Sequence, residues 1–358
     1  MTNNAIKGRG TPSKPVGRFE SRSTDAVDDG WGLSDEALPP VETVVAAEPA
    51  KTIISRNDSP DIGFDQSVNP FRGCEHACIY CYARPSHSYI NLSPGLDFET
   101  KLFYKKDAAK LLDKELRAPR YVVSPINLGA NTDPYQPIER DLRVTRSIIE
   151  VLRSFRHPLT IVTKGSLIER DIDILSELAA DNLVAVYVSL TTLSSDLKRV
   201  MEPRAASPKA RLRVIRSLAE AKIPVGVFAS PMIPFINDHE LEGILEQARD
   251  AGATTANYIL VRLPHEVKDL FAEWLETHFP AKAKHVMSLI YQARDGKAND
   301  PQFGSRMRGT GQYSEMLRSR FQLASKRYGF DVGRGHRLDT SLFRIPPAPG
   351  DQLSMFPM

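Results

Sequence analysis

From about residue 65, short apolar segments alternate with amphipathic segments at helical spacing, and this constrains the fold more than any other feature of the chain. Repeated βα units predict a parallel sheet with helices packed against it. The predicted strands cover residues 67–72, 121–127, 159–163, 183–190, 225–230 and 256–263. The predicted helices cover residues 106–117, 142–155, 168–180, 208–221, 238–250 and 266–277.

Six βα repeats are too few for a closed eight-stranded barrel. We therefore predict an α/β fold built on a partial (β/α)6 barrel, whose open mouth admits a large substrate. A doubly wound open sheet has the same alternation and stays open as an alternative. In both folds the chemistry belongs at the carboxyl ends of the strands. Unusual residues cluster there, in the segments 131–135, 163–165, 189–192, 230–234 and 262–264.

The two ends of the chain differ in composition from this central region. Residues 1–60 are rich in glycine, proline, serine and acidic residues, which predicts a flexible, disordered N-terminal segment. Two further helical patterns after the barrel predict a basic helical extension over residues 281–340, followed by a flexible tail over 341–358. The partial barrel is therefore assigned to residues 61–280.

Charge is distributed unevenly, although the formal net charge is only +3. Residues 1–65 carry 7 Lys and Arg against 11 Asp and Glu, whereas residues 282–345 carry 13 against 5. A basic C-terminal region points to nucleic acid as a partner, with a solvated helical surface as the alternative. The arginines that we expect to contact phosphates are Arg306, Arg308, Arg318 and Arg320.

Cellular location can be inferred from the apolar segments and the cysteines. No apolar run approaches the roughly 18 residues that a membrane span needs, and no apolar targeting segment lies near the start. Three cysteines within eight residues suit a metal site in a reducing compartment better than a disulfide framework. We therefore expect a cytoplasmic protein with no membrane partner.

The chain has three cysteines, Cys74, Cys78 and Cys81, which follow the first predicted strand at positions i, i+4 and i+7. On one loop, three thiolates can hold three corners of an iron–sulfur cube. An electron-transfer cluster normally takes four thiolates, so a set of three leaves one iron open for chemistry. A zinc site that adds His76 or His87 is the alternative.

The CxxxCxxC spacing, with an aromatic residue directly before the last cysteine, resembles the cluster loop of the radical S-adenosylmethionine (SAM) superfamily. The resemblance implies a [4Fe-4S] cluster on Cys74, Cys78 and Cys81, with SAM bound at the open iron. It implies reductive cleavage of SAM to a 5′-deoxyadenosyl radical that abstracts hydrogen from a substrate. It also implies an external electron donor of the flavodoxin or ferredoxin type.

Over residues 65–265 the chain resembles the spore photoproduct lyase branch of that superfamily. The resemblance rests on Tyr80 and Tyr82 around Cys81, on a small-polar-acid segment after strand two, and on the ends of strands three and four. It implies that residues at the matching places contact SAM. These residues are Tyr80, Thr132, Asp133, Lys164 and Ser189.

The resemblance assigns each of these residues a part of SAM. Tyr80 packs by the adenine, Thr132 and Asp133 receive the ammonium group, Lys164 pairs with the carboxylate, and Ser189 contacts the carboxylate or the ribose. The physics agrees, because a zwitterionic amino acid needs an anion for its ammonium and a cation for its carboxylate. The alternatives are that Asp133, which precedes a proline, only begins a turn and that Lys164 is a surface lysine.

One departure limits the resemblance to the lyase. The lyase has a hydrogen-donating cysteine where this chain has Asn131, so we do not expect spore photoproduct repair itself. Tyr82 is a candidate replacement donor, with packing as the alternative. Further strand-end residues are candidates for binding SAM or substrate, with structural ion pairs as the alternative. They are Arg262, Glu139, Glu202 and Arg204.

The tail carries a short peptide after a proline-rich spacer, namely Gln352, Leu353, Ser354, Met355 and Phe356. It resembles the peptide by which bacterial DNA-processing proteins bind the replication sliding clamp. Such a peptide buries two apolar anchors in a groove while its glutamine contacts a polar edge. The alternative is a tail that packs back on its own barrel.

Together these features predict a radical SAM enzyme that abstracts hydrogen from DNA or a nucleotide in a repair-like reaction. A radical SAM enzyme for a small molecule, a peptide or RNA is one alternative. A non-enzymatic metal-binding adaptor is another. The strand-end residues argue against the adaptor, because a structural cluster has no need of Asp133, Lys164 and Ser189.

Overall fold

The computed structural model describes residues 6, 8–20, 41–331 and 335–347. Six parallel strands follow one another in a seven-stranded sheet, and its edge strand Ile54–Arg56 alone runs antiparallel. The order in this sheet is Thr255–Leu260, Val225–Met232, Val184–Ser189, Leu159–Thr163, Ile126–Leu128, Gln66–Val68 and Ile54–Arg56. A three-stranded sheet has the order Val44–Ala47, Lys101–Tyr104 and Phe71–Arg72. The predicted α/β fold with six βα repeats is confirmed.

The strands are β1 Val44–Ala47, β2 Ile54–Arg56, β3 Gln66–Val68, β4 Phe71–Arg72, β5 Lys101–Tyr104, β6 Ile126–Leu128, β7 Leu159–Thr163, β8 Val184–Ser189, β9 Val225–Met232 and β10 Thr255–Leu260. The helices are α1 Leu96–Thr100, α2 Ala108–Leu116, α3 Glu139–Leu142, α4 Val144–Ser154, α5 Ile172–Ala180, α6 Ser195–Met201, α7 Pro208–Glu220, α8 Leu241–Asp250, α9 Val267–His278, α10 Pro280–Gln292 and α11 Gly311–Arg327.

The two faces of the parallel sheet carry different kinds of side chain, as strand β8 shows. Val184, Val186 and Val188 belong to the large apolar core. Because side chains alternate along a strand, Tyr187 and Ser189 lie on the opposite face, inside the barrel. The outer face therefore buries apolar surface, while the inner face carries polar side chains toward the mouth.

Two predicted strands are shorter than the sequence suggested, and prolines explain both. The segment 67–72 is split into β3 and β4, which belong to different sheets, with Pro70 between them. The segment 121–127 pairs only as β6, which begins directly after Pro125. Proline has no N–H to donate, so it interrupts a sheet ladder.

Some described residues of the N-terminal segment pack on the folded body. The amides of Gly10 and Thr11 donate to the buried Glu99 carboxylate at 3.0 Å each. Gly10 lies so close to the cysteine loop that a Cβ there would stand 1.8 Å from the Ala77 carbonyl oxygen. Strand β1 pairs in parallel with β5. These residues form a strap on the folded body rather than a flexible segment, because a buried carboxylate needs hydrogen-bond donors.

The two predicted helices of the extension are present as α10 and α11. The described start of the predicted flexible tail also packs on the barrel, at the end where the strands begin. The amide of Arg344 donates to the Phe155 carbonyl at 3.0 Å, and the Phe343 ring meets His157 edge-on at 5.5 Å. The sliding-clamp peptide, residues 352–356, lies outside the described residues.

Within the described ranges, no helix is both long enough and apolar enough to cross a bilayer.

Candidate functional site

The cysteine loop follows β4 and is fixed by backbone contacts from its surroundings. Cys74 and Cys78 are buried and Cys81 is partly buried, and all three thiols are free. The amide of Cys74 donates to the Phe98 carbonyl at 3.0 Å. The buried Arg84 donates from Nε to the Cys78 carbonyl at 2.9 Å. The loop is therefore positioned before any metal binds.

The donor set fits an iron–sulfur cluster. Burial is the main cause that raises the pKa of all three thiols, and the pKa of Cys78 reaches about 12. Each of Cys78 and Cys81 further raises the pKa of Cys74, so the three groups share one electrostatic environment. Such thiols need a strong local positive charge to deprotonate, and bound iron supplies it.

The two histidines that a zinc site would need already contact other groups in the protein. His87 is buried, with Nε2 2.9 Å from the Lys101 carbonyl oxygen and its ring edge-on to Phe98. His76 Nδ1 lies 3.3 Å from the Asp133 carboxylate. Among the described residues, no group of three or more His, Cys, Asp or Glu side chains is arranged around a single ion.

Asp133 lies directly behind the cysteine loop. Its carboxylate accepts hydrogen bonds from the Tyr135 amide at 2.9 Å, the Thr163 hydroxyl at 2.7 Å and the Lys164 amide at 2.6 Å. Burial by itself raises the Asp133 pKa, but His76 and these hydrogen bonds lower it to about 2. The bond to the Tyr135 amide is the turn that the sequence left open as an alternative. The group is thus a fixed negative charge at the strand ends.

Thr132 is buried beside Asp133, and its hydroxyl donates to the Phe71 carbonyl at 2.8 Å. This contact ties the end of strand β6 to the start of the cysteine loop. In the structure the Thr132 hydroxyl therefore serves the protein backbone.

Lys164 and Ser189 meet at the carboxyl ends of β7 and β8. Lys164 Nζ donates to Ser189 Oγ at 2.9 Å and lies 5.8 Å from the centre of the Tyr80 ring. Ser189 Oγ in turn donates to the Ser230 carbonyl at 3.0 Å. The structure thus brings together three of the residues that the sequence predicts to bind SAM. They lie near Cys78 and Cys81, because the Lys164 charge acts to lower the pKa of both thiols.

A buried network that the sequence did not predict holds Tyr80. The Tyr80 hydroxyl donates to Glu202, whose carboxylate also accepts from Thr191 at 2.7 Å and forms an ion pair with Arg211. Burial raises the Glu202 pKa, but Arg211 and Lys164 lower it to about 2. Glu202 is therefore a support of the site rather than an exposed substrate ligand at the barrel mouth.

Arg211 extends this network to the strand ends, since its Nη1 donates to the Ser189 carbonyl at 2.9 Å. Glu202 and Arg211 are nine residues apart, on either side of a helix start, and no short-range spacing rule connects them. Polar residues such as Arg204, Lys209 and Arg213 surround them in the sequence, so nothing there indicates that both side chains are fully buried.

Tyr82 and Arg262 form a pair at the open edge of the site. The Arg262 guanidinium lies 4.8 Å from the centre of the Tyr82 ring, and the Tyr82 hydroxyl donates to the Ala130 carbonyl. Although 44% of the residue is exposed, loss of water around the hydroxyl, followed by the Cys81 charge, raises the pKa of Tyr82 to about 12. The Tyr82 hydroxyl therefore keeps its hydrogen at neutral pH.

Other predicted mouth residues serve the structure. Glu139 is buried, accepts from the Thr145 amide at 2.9 Å and pairs with Arg170 at 2.8 Å, so it binds the first turn of helix α4. Arg204 pairs with Glu75 of the cysteine loop at 2.6 Å. Both match the ion-pair alternative of the sequence analysis.

Two of the basic C-terminal arginines are also in ion pairs. Arg306 pairs with Asp61 at 2.5 Å, and Arg320 pairs with Glu242 at 2.6 Å. Their charges are largely neutralised within the chain, which weakens them as phosphate ligands.

The inner face of the barrel carries further polar residues that sequence reasoning missed. Asn127 donates to the Thr160 hydroxyl at 2.9 Å, while its own Oδ1 is buried without a partner. Deeper in the barrel, the rings of Tyr187 and Phe228 stack at 4.8 Å. The sequence does contain a signal for Asn127, which is a polar residue between the apolar Ile126 and Leu128. Because side chains alternate along a strand, this pattern places Asn127 on the inner face.

Comparison with known proteins places the chain in a wider context. A family model described as the radical SAM superfamily matches residues 68–248. An uncharacterised protein of Mycobacterium tuberculosis is 35% identical over 259 residues, which cover 72% of each chain. An uncharacterised protein of Methanocaldococcus jannaschii is 27% identical over 213 residues, 60% of this chain and 76% of that protein.

Solved structures with the same fold include spore photoproduct lyase complexed with dinucleoside spore photoproduct. It superposes with a TM-score of 0.55 at 15% identity and covers 80% of both chains. A mutant of that lyase with bound AdoMet and the dinucleoside spore photoproduct superposes with a TM-score of 0.54, at 15% identity and the same coverage. At this level of identity the likeness concerns the fold alone.

Proposed function

Because the chain belongs to the radical SAM superfamily and is an enzyme of SAM-dependent radical chemistry, we propose that Cys74, Cys78 and Cys81 hold a [4Fe-4S] cluster whose fourth iron binds SAM. When bound, the cluster supplies the electron that cleaves SAM to a 5′-deoxyadenosyl radical, which abstracts hydrogen from the substrate. The observation that carries this proposal is one rigid loop with three free thiols and no fourth cysteine in the chain.

Lys164 and Ser189 receive the carboxylate of SAM in this proposal. The ammonium group of Lys164 already donates to Ser189 Oγ at the strand ends, so both groups face one point. A compact cation on a rigid strand end is suited to hold a carboxylate. Tyr80, held by Glu202, presents its ring beside Lys164 and packs by the adenine.

Asp133 and Thr132 receive the ammonium group of SAM in this proposal, Thr132 through the lone pairs of the hydroxyl whose hydrogen goes to the Phe71 carbonyl. The Asp133 carboxylate is ionised, but it already accepts three hydrogen bonds and lies in contact with the His76 ring. The contact with His76 is the longest, at 3.3 Å, so an incoming ammonium group displaces this contact before the others. Binding of SAM therefore moves the His76 side chain, whereas the backbone contacts of Asp133 stay.

The substrate that we propose is DNA or a nucleotide, in a reaction other than repair of spore photoproduct. The excess of Lys and Arg over residues 282–345 supports it. An external donor of the flavodoxin or ferredoxin type supplies the electron that cleaves SAM. Tyr82 donates a hydrogen atom to the substrate radical in this scheme, because its hydroxyl is protonated and it follows Cys81 directly. The phenoxyl radical left on Tyr82 then takes up one proton and one electron, and the external donor supplies this electron as well.

The test of the cofactor chemistry is anaerobic reconstitution with iron and sulfide, followed by EPR of the reduced protein with and without SAM. We expect a [4Fe-4S] signal that changes when SAM is added, together with formation of 5′-deoxyadenosine. Cys78→Ala is expected to abolish both. Zinc in place of iron, or a signal indifferent to SAM, contradicts the proposal.

The sliding clamp is proposed as a partner through Gln352, Leu353, Ser354, Met355 and Phe356. A proline-rich spacer separates this peptide from the barrel, which supports its access to a groove on another protein. The double variant Leu353→Ala, Phe356→Ala is expected to lose co-purification with the clamp. Equal recovery of the clamp with the wild type and the variant contradicts the proposal.

A further inference from the structure

A cavity of about 340 Å³ opens to the surface next to the cysteine loop. Its lining includes Tyr82 of that loop, Asn131 after strand β6 and Arg262 after strand β10. Arg18 of the N-terminal strap and Tyr89 line it as well. The cavity therefore connects the surroundings of Cys81 with solvent.

Exposed aromatic side chains concentrate around this cavity. In the described part of the chain, five Phe, Tyr and Trp side chains are exposed, and all of them except Phe235 stand at the cavity or beside residues that line it. We call these four the aromatic rim: Phe19, Tyr82, Tyr89 and Phe303. Tyr89 is 66% exposed and Phe303 is 59% exposed. Leaving such surface in water is unfavourable, so its concentration in one place marks a binding surface.

Every member of the aromatic rim has an arginine over its ring. Arg18 lies 5.3 Å from the Phe19 ring centre and 5.5 Å from that of Tyr89. Arg262 lies over Tyr82, and Arg306 lies 4.6 Å from the Phe303 ring centre. The rim thus offers flat faces with a guanidinium beside each of them.

The three arginines differ in how their charge is balanced. Arg18 pairs with Glu266 at 3.1 Å, and Arg306 pairs with Asp61. For Arg262, the described residues provide no ion pair and no hydrogen bond to the guanidinium. Arg262 therefore has five N–H donors and a full positive charge available to an anion in the cavity.

We infer that this cavity and its aromatic rim bind an unpaired stretch of nucleic acid, with one phosphate at Arg262 and bases stacked on the rim. The inference rests on the proposed function and names its substrate as a single strand. A nucleotide chain alternates planar bases with anionic phosphates. Proteins hold single strands by stacking the bases on aromatic side chains and by placing cations along the backbone. In a duplex the base faces are buried against each other and cannot stack on Tyr89.

The cavity also offers polar groups that are neutral. Asn131 and Asn299 line it, and the Ser86 hydroxyl is buried without a partner. Amide and hydroxyl groups can contact base edges without demanding one particular base. Tyr82 directly follows Cys81, so its place in the lining brings the bound strand beside the cysteine loop.

The experiment measures fluorescence anisotropy of a labelled oligodeoxythymidine of about 12 nucleotides, with reconstituted enzyme, SAM and no oxygen. The same strand annealed to its complement is the second probe. The double variant Phe19→Ala, Tyr89→Ala removes stacking, and Arg262→Gln removes the free charge. Arg213→Gln is the matched control, because Arg213 pairs with Glu169 and lies outside the cavity.

We expect the single strand to bind more tightly than the duplex. The double variant should lose about tenfold or more in affinity, since stacking on an aromatic ring contributes on the order of 1–3 kcal/mol per base. Arg262→Gln should reduce the slope of log affinity against log salt by roughly 0.7, the effect of one phosphate contact on a single strand. Arg262→Lys should keep that slope, and Arg213→Gln should match the wild type.

Binding and cofactor cleavage are separate readouts. Formation of 5′-deoxyadenosine should persist in the double variant, so a folded, active variant that no longer binds the strand supports the inference. Equal or tighter binding of the duplex, absence of binding by the wild type, or binding within twofold by the double variant overturns it. Loss of 5′-deoxyadenosine formation in the wild type would instead contradict the proposed function alone.

Discussion

The carboxylate of Glu202 and the guanidinium of Arg211 form an ion pair from which solvent is fully excluded. The pair lies behind Tyr80 and holds the Ser189 carbonyl, so it supports two proposed SAM contacts at once. Taking two charges out of water is costly, and a buried pair therefore depends on both partners and on their other hydrogen bonds.

Glu202→Gln is expected to destabilise the protein by about 3–5 kcal/mol, because it leaves the Arg211 charge buried and unpaired. It should also weaken SAM binding, since Tyr80 loses its charged acceptor. Urea unfolding gives the free energy, and SAM titration of the reconstituted enzyme gives the affinity. The control is Glu169→Gln, which breaks the exposed pair with Arg213 and should cost roughly 0–1 kcal/mol. Equal losses in both variants would contradict this view.

Lys164→Met is expected to lower SAM affinity by roughly 10- to 100-fold, the effect of losing a hydrogen bond between charged groups. The change keeps the apolar stem of the side chain, so the fold should be retained. Anaerobic calorimetry with reconstituted enzyme measures the affinity, and the matched control is the exposed Lys209→Met. Unchanged affinity in Lys164→Met would remove the carboxylate contact from the proposal.

Gly10→Val is expected to release the N-terminal strap from the cysteine loop, because its Cβ would meet the Ala77 carbonyl oxygen at 1.8 Å. The reconstituted cluster should then lose its visible absorbance faster in air than in the wild type. Gly63→Ala is the control, since nothing lies within 4 Å of a Cβ at that position. Equal bleaching rates in both variants would show that the strap does not shield the cluster.

His157 is expected to make stability depend on pH. Burial lowers its pKa to about 4 in the folded protein, whereas the unfolded value is 6.5. The folded state disfavours the charged form, so this stability is fully present above about pH 6.5. It is lost as the pH falls toward 4, by up to about 3 kcal/mol at 1.36 kcal/mol per pKa unit.

Urea unfolding between pH 7 and pH 4 measures this loss. His157→Gln should flatten the dependence, although Tyr121 then loses the imidazole that now lies 2.6 Å from its hydroxyl. The exposed His239→Gln should leave the slope unchanged. A His157→Gln slope equal to that of the wild type would contradict the assignment.

Much of the fold could be read from periodicity. Strand β7 has the predicted bounds, and helix α7 ends within one residue of them, because buried apolar spacing fixes both. The division of the segment 67–72 between two sheets could not be read in this way. It depends on where the chain turns after Pro70 and on which strand is available to pair.

Within the site, the cysteines and Lys164 could be named from sequence because their residue types carry chemistry at fixed spacing or at a strand end. Glu202 was assigned to the open mouth, whereas it is buried. The reason is that a charged side chain looks the same in sequence whether it faces water or a partner. Glu202 can be buried only because Arg211, from the next helix, pairs with its charge.

Local spacing and the alternation of strands are enough to specify the class of fold, the cysteine loop and the strand ends that face it. The packing of the N-terminal strap on that loop and the grouping of the exposed aromatic rings around one cavity arise only when the chain folds. Such contacts join residues far apart in the chain, such as Gly10 and Glu99. Their partners are selected by packing and by the need to satisfy buried charge, and neither is a property of a local segment.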